Sequence, residues 1–171
     1  MVVLRATQKL AKLLPPSTDP AAASDTALGD WYVNRLTVDR QPLLLLVSAR
    51  SLLAIVAPAR DVRGLPERLP GLVATRLKRL GIPAQLIAAE RAAMAPVVVT
   101  KTIDRSVVGI MVDYAKMIPD YLPVAGWDAT TLPFVEVMLE GNPCHAGGPE
   151  AAVILPDRAT PRLLSDRWHA A

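Results

Sequence analysis

Cysteine and aromatic residues are scarce in this chain, which excludes a disulfide within the chain and argues against extensive stacking on nucleic-acid bases. Cys144 is the single cysteine among 171 residues, so no disulfide can form within the chain, which is typical of a reducing compartment. Aromatic residues make up 4% of the sequence, whereas 51% of it is hydrophobic. The interior must therefore be aliphatic, and few rings are present to stack on nucleic-acid bases.

Long apolar runs are also missing. The longest lies around residues 43–47, far short of the roughly 20 residues that a membrane-spanning helix needs. Arg5 and Lys9 interrupt the apolar residues near the N-terminus, where a secretion signal would need an unbroken apolar segment. We therefore predict a cytoplasmic protein without membrane contact.

The usual signatures of nucleotide, hydrolase and metal chemistry are absent. No GxxxxGK[ST], GxGxxG or GxSxG pattern occurs. His145, His169 and Cys144 are too few for an ordinary structural zinc site, and Cys144 and His145 are adjacent rather than spaced as nucleophile and base. We therefore predict no metal and no cofactor, and the sequence favours a protein that is not an enzyme.

The charge is only mildly one-sided. The net charge is +3, which permits contact with nucleic acid or an acidic partner without indicating either. The basic residues Arg68, Arg76 and Arg79 fall on a predicted helix, where a solvated face is the simpler interpretation than a nucleic-acid groove. An unidentified protein is the favoured partner, and the sequence does not indicate the oligomeric state.

Apolar periodicity predicts one α+β domain over residues 1–171. Predicted strands cover residues 2–4, 31–38, 43–47, 52–56 and 97–100. Predicted helices cover residues 8–14, 65–80, 83–94, 104–118, 132–139 and 157–168. We expect a small, mostly antiparallel sheet with helices mainly on one face, although residues 43–47 form an unbroken apolar strand typical of burial on both faces. Residues 15–28 are predicted to be a mobile loop, and the sequence pattern defines the packing of the tail, residues 123–171, less clearly than that of the rest.

The most regular pattern lies in residues 104–118. Its apolar residues recur at helical spacing and predict one buried stripe: Val107, Ile110, Met111, Tyr114, Met117 and Ile118. Asp104 stands where an N-cap is expected, while Ser106, Gly109 and Asp113 form a second line of small and polar residues. A glycine within a helix costs about 1 kcal/mol relative to alanine, so we expect a close neighbour at Gly109.

Polar and aromatic residues around this helix are the candidate ligand-binding residues. They are Arg5, Lys9, Asp30, Trp31, Asn34, Lys101, Arg105, Ser106 and Asp113. A helix N-terminus beside an arginine and a serine is suited to an anion such as phosphate. The alternative is structural: Arg105 pairs with Asp30 or Asp113, and Trp31 lies at the edge of the core.

Four segments carry a resemblance to a known family. They are residues 4–10 (LRATQKL), 28–32 (LGDWY), 105–114 (RSVVGIMVDY) and 142–144 (NPC). They resemble a family of uncharacterised bacterial proteins, small single domains of unknown function with LGDWY-like and NRSVxGxMND-like motifs. This chain has Asp104 and Val112 where that family commonly has asparagine. The resemblance implies the fold and leaves the function open.

Two functions remain open from the sequence. The first is a non-enzymatic interaction or regulatory protein that binds another macromolecule. The second is a small enzyme or binding domain for phosphate or nucleic acid that uses the start of helix 104–118. The first predicts that the candidate polar residues pair with one another. The second predicts that at least three of them line one concave site open to solvent.

Overall fold

The computed structural model describes residues 1–15, 19, 21–146 and 150–169. The strands in this part of the chain are β1 (Val2–Ala6), β2 (Trp31–Val38), β3 (Gln41–Ser48), β4 (Ala54–Pro58) and β5 (Val97–Lys101). The α-helices are α1 (Gln8–Ala11), α2 (Leu65–Arg79), α3 (Ala84–Ala93), α4 (Arg105–Tyr121), α5 (Leu132–Glu140) and α6 (Pro156–Trp168). This order matches the predicted order of strands and helices, with boundaries that differ by a few residues.

The five strands form one mixed sheet in the order β4-β3-β2-β1-β5. The predicted antiparallel meander of residues 31–57 is confirmed as β2, β3 and β4. β1, however, is parallel to both β2 and β5, so the sheet is not mostly antiparallel. Parallel neighbours require long crossover connections. The segment from β1 to β2 connects one pair of parallel neighbours. The helical segment from β4 to β5 crosses from one edge of the sheet to the other and places β5 beside β1.

Helices cover both faces of the sheet, so the expectation of helices mainly on one face is not confirmed. Residues alternate along β2: Trp31 and Val33 belong to one buried apolar cluster, and Tyr32 belongs to another. The first cluster includes residues of α1, α2, α3 and α6, which we call the α2 layer. The second includes residues of α4 and α5, which we call the α4 layer. Successive side chains of a strand point to opposite faces, so each layer receives every second residue.

The central strand β3 shows why two layers are needed. Leu44 and Leu46 pack into the cluster of the α2 layer, while Leu43, Leu45 and Val47 pack into that of the α4 layer. Each of these five side chains is at most 1% exposed. The prediction that residues 43–47 are buried on both faces is therefore confirmed, and it is incompatible with a sheet covered mainly on one side.

Helix α4 forms as the pattern of residues 104–118 predicts. The Asp104 carboxylate accepts a hydrogen bond from the Ser106 amide at 2.8 Å and caps the helix. Val107, Met111 and Tyr114 are buried against the sheet. The expected close neighbour at Gly109 is wrong, because this residue is exposed and an added Cβ would meet no described atom within 4 Å.

A buried ion network closes the β4 edge of the sheet. Arg76 of α2 lies 3.0 Å from the Glu136 carboxylate of α5, and each side chain is 1% exposed. The Arg76 Nε also donates to the Ala54 carbonyl, and Glu136 accepts from the Val56 amide. Burial raises the pKa of Glu136, and this outweighs the lowering by nearby guanidinium groups. The network joins the two layers and satisfies backbone groups of an edge strand.

Described residues of the loop before β2 and of the tail contact the core. The Glu90 carboxylate on α3 accepts hydrogen bonds from the amides of Ala27 and Leu28 and from the Trp168 indole, at 2.8–3.0 Å. Leu164 in α6 is fully buried. Residues 16–18 and 20, on which the mobility prediction also falls, lie outside the described residues.

Candidate functional site

Arg5 and Asp30, two of the candidate residues, form a buried ion pair. Arg5 is 2% exposed, and its Nε donates to Asp30. The same guanidinium donates to the Ala22 carbonyl at 2.7 Å and to the Lys101 carbonyl at 3.2 Å. Asp30 also accepts from the amide and the hydroxyl of Ser24. The pair thus joins β1, the start of β2, the end of β5 and the loop before β2, which is a structural role.

Lys101, Arg105 and Ser106 follow one another from the end of β5 into the first turn of α4. The two cations are exposed and the serine is half-buried. The Asp104 amide donates to the Tyr32 hydroxyl at 3.1 Å, and Asp104 in turn occupies the Ser106 amide. Burial raises the pKa of Tyr32, so this hydroxyl stays neutral. The helix start is therefore anchored to β2, and one of its free amides is already used.

The remaining candidate residues are dispersed. Trp31 is fully buried within the apolar cluster of the α2 layer, and its indole N–H has no hydrogen-bond partner in the described part of the chain. Asn34 accepts from the Thr7 hydroxyl at 3.0 Å. Lys9 and Asp113 are exposed on α1 and α4. The expected pairing of Arg105 with Asp30 is wrong, because Arg5 is the ion-pair partner of Asp30.

Cys144 is buried and packs against α4. Its sulfur lies 3.2 Å from the Tyr114 hydroxyl, which also donates to the Leu52 carbonyl at 2.9 Å. Burial raises the pKa of the Cys144 thiol and of the Tyr114 hydroxyl. Cys144 thus packs within the apolar cluster of the α4 layer. Among the described residues, no group of three or more histidine, cysteine or acidic side chains is placed to hold a metal ion.

A concave surface that contains none of these residues lies elsewhere, in a groove of about 860 Å³ between α2 and α3. We call it the α2–α3 groove. Its lining residues are Ala74, Thr75, Lys78, Ile82, Ala84, Ile87, Ala88, Arg91, Ala92 and Ala95. The lining is apolar except for a threonine and two exposed cations, and none of the nine candidate residues contributes to it.

The local sequence explains why the groove forms. Gly81 adopts a φ of +81° directly after α2, a left-handed conformation that suits glycine at the end of a helix. Pro83 then starts α3, and Ile82 is buried between the two helices. Ala84, Ala88 and Ala92 recur every fourth residue and lie in one exposed line along α3. Small side chains on this line leave the space that larger residues would fill.

The outer face of α3 departs from the usual pattern of a surface helix. Such a helix presents charged and polar residues to water. On α3 the exposed residues are three alanines, Gln85 and Arg91. The four-residue spacing of Ala84, Ala88 and Ala92 is the sequence signal of this apolar face, and none of the nine predicted ligand-binding residues lies on it.

Fold and surface together define an α+β protein whose mixed sheet lies between two helical layers, one of which carries an apolar groove. None of the helices in the described part of the chain is long and apolar enough to cross a membrane. The chain belongs to the family DUF6933, a domain of unknown function, whose model matches residues 3–159. The resemblance to a family of unknown function is thus confirmed. A comparison with curated proteins gives no match, and one with solved structures gives none either.

Proposed function

We propose that this protein is a non-enzymatic interaction protein that binds another protein through the α2–α3 groove. The observation that carries the proposal is the groove itself, with its volume of about 860 Å³ and its exposed alanine lining. A concave apolar surface with a few charged groups at its margin is typical of a binding site.

The state of the reactive groups supports a binding role over catalysis. Arg5 and Asp30 form an ion pair, and further hydrogen bonds join them to the Ala22 carbonyl and to Ser24. Cys144 is buried with a raised pKa. Arg5 and Asp30 therefore bind each other within the fold, and this internal pairing supports the proposal.

The test compares two single charge additions on α3. Ala88→Arg fills the α2–α3 groove, whereas Gln85→Arg adds the same side chain to an exposed position of the same helix that does not line it. Affinity capture from lysate of the source organism, quantified by mass spectrometry, is expected to enrich a protein with the wild type and with Gln85→Arg but not with Ala88→Arg. Equal enrichment by both variants would overturn the proposal.

A second candidate function is the binding of a phosphate-bearing ligand where β1 and β5 end. These strands are parallel neighbours, and the helices that follow them lie in different layers. In open sheets such a switch point forms a ligand crevice at the carboxyl ends of the strands. Lys101 and Arg105 are exposed there.

Thermal shift with inorganic phosphate and with a short single-stranded oligonucleotide tests this candidate. A ligand arginine predicts a melting temperature that rises with ligand in the wild type but not in Arg105→Ala, while the unliganded stability of the variant is unchanged. Lys116→Ala, which removes another exposed cation of α4, is the matched control. A lower melting temperature of Arg105→Ala without ligand would assign the arginine a structural role.

A further inference from the structure

We infer that the α2–α3 groove receives an amphipathic helix of the partner, with small or aliphatic residues on its contacting face and acidic residues beside that face. The inference rests on the proposed function and specifies the chemistry of the partner. Three features of the groove carry it: its length, the size of its side chains and its charge.

The dimensions fit a helix. α3 has ten residues and is therefore about 15 Å long, and the line of Ala84, Ala88 and Ala92 follows it over two turns. Packed helices lie about 8–10 Å apart, and small side chains at the contact allow the closest approach. Ile82 and Ile87 add larger apolar surface, which the aliphatic residues of an incoming helix would contact.

The charge at the groove is positive. Lys78 and Arg91 both line it, and both are exposed. Basic residues also outnumber acidic ones across α2, α3 and α6. The basic residues are Arg68, Arg76, Lys78, Arg79, Arg91, Arg158, Arg162 and Arg167, and the acidic ones are Glu67, Glu90, Asp157 and Asp166. Glu90 and Arg76 are used inside the fold, so the groove margin itself is cationic. Acidic residues on the partner complement it.

Other occupants fit these observations less well. A second copy joined by two-fold symmetry would place Lys78 and Arg91 of both copies in one interface, and the described lining contains no acidic residue to balance them. A small-molecule site encloses most of its ligand. Here Ala84, Ala88, Ala92 and Ala95 are exposed, so the groove is an open trough.

The experiment is a selection from a displayed library of 16-residue peptides whose helical faces are randomised, with the full chain as bait. Binding of each enriched peptide to Ala88→Arg is measured afterwards and plays no part in the selection. The enriched peptides are expected to carry apolar residues at helical spacing and an excess of Asp and Glu beside them. We expect Ala88→Arg to weaken an enriched peptide about tenfold or more. The Lys78→Glu/Arg91→Glu double variant should bind more weakly, and because its groove repels acidic residues, added salt should strengthen its binding, whereas salt weakens binding to the wild type.

Several results would overturn the inference. Enriched peptides without helical spacing, enriched basic peptides, no enrichment above background, or unchanged affinity in the double variant would each do so. A wild-type dimer that Ala88→Arg converts to monomer would assign the groove to a second copy. The proposed function fails separately, when the protein captured from lysate does not depend on Ala88. If capture depends on Ala88 but the captured partner contacts the groove through a non-helical or basic segment, only the inference fails.

Discussion

The two helical layers cover opposite faces of one sheet, yet they present different outer surfaces. The α2 layer carries an excess of basic residues and the alanine-lined groove. In the α4 layer the exposed helix charges are balanced, two basic and two acidic, and large apolar side chains are exposed: Val112, Phe134, Val137 and Met138. The alternation of side chains along each strand determines which residues pack against each layer. It does not determine which residues the helices present to solvent. The two outer surfaces therefore differ although the two inner surfaces obey the same alternation.

The layers are not independent, because charged residues from both meet at the β4 edge. Arg76 of the basic α2 layer and Glu136 of the α4 layer form a pair that is 1% exposed on each side. Glu140 contacts Arg76 and Arg79 contacts Glu136, so the charges of one layer are balanced by those of the other. Changes on this boundary should affect the whole fold, and changes on one outer surface should affect only that layer.

The largest loss of folding stability is expected from Arg76→Met at this boundary. Removing the cation leaves Glu136 buried with one fewer partner, and breaking a buried ion pair costs about 3–5 kcal/mol. Urea unfolding of the full chain measures the loss. Arg79→Met is the control, because Arg79 is more than one-third exposed and its removal leaves the Arg76–Glu136 contact intact. Equal losses in the two variants would contradict the role of the boundary.

A smaller effect is expected within the α4 layer from Tyr114→Phe. The substitution removes the hydroxyl that donates to the buried Leu52 carbonyl, and an unsatisfied buried polar group costs about 1–3 kcal/mol. Tyr121→Phe on the same helix removes a hydroxyl that bonds no described residue and should cost little. Thermal unfolding followed by circular dichroism compares the stabilities of the two variants. An unchanged melting temperature for Tyr114→Phe would contradict the prediction.

In both layers, we expect the fold to become more stable when a helical glycine with space for a side chain is replaced by alanine. Gly109 of α4 and Gly71 of α2 each have space for a Cβ, since no described atom lies within 4 Å. Replacing either by alanine should stabilise the fold by about 0.4–1 kcal/mol, because alanine loses less conformational freedom on folding. Denaturant midpoints check this. If Gly109→Ala is less stable than the wild type, the result would support the close neighbour at Gly109 that the sequence predicts.

The smallest effect concerns Asp128, in the loop before α5. Hydrogen bonds from the Thr130 hydroxyl and amide lower the pKa of this carboxyl below 3.8. A lowered folded-state pKa contributes stability above the unfolded-state value and loses it as pH falls through the folded-state value. Asp128→Asn should therefore lower the melting temperature slightly near neutral pH, and the difference should shrink below pH 3.8. Asp120→Asn, an exposed carboxylate of α4, is the control, and a difference that grows with acid would contradict the assignment.

Periodicity predicted the order of elements because local spacing records which face of each element is apolar. It failed on the arrangement of the helices, since Trp31 and Tyr32 follow each other in sequence but lie in different apolar clusters. Polar character at the ends of elements made Arg5 and Asp30 candidate ligand-binding residues, although these residues, 25 positions apart in sequence, form an internal ion pair. Charge type alone does not distinguish a binding residue from a buried structural one.

The sequence by itself determined the aliphatic core, the strand and helix order and the capped, amphipathic helix α4, because each depends on residues within a few positions of one another. Only the tertiary structure decided the parallel placement of β1, the two helical layers, the ion pairs at the β4 edge and the groove between α2 and α3. Those features depend on contacts between distant segments, and local spacing carries no record of which segments will meet.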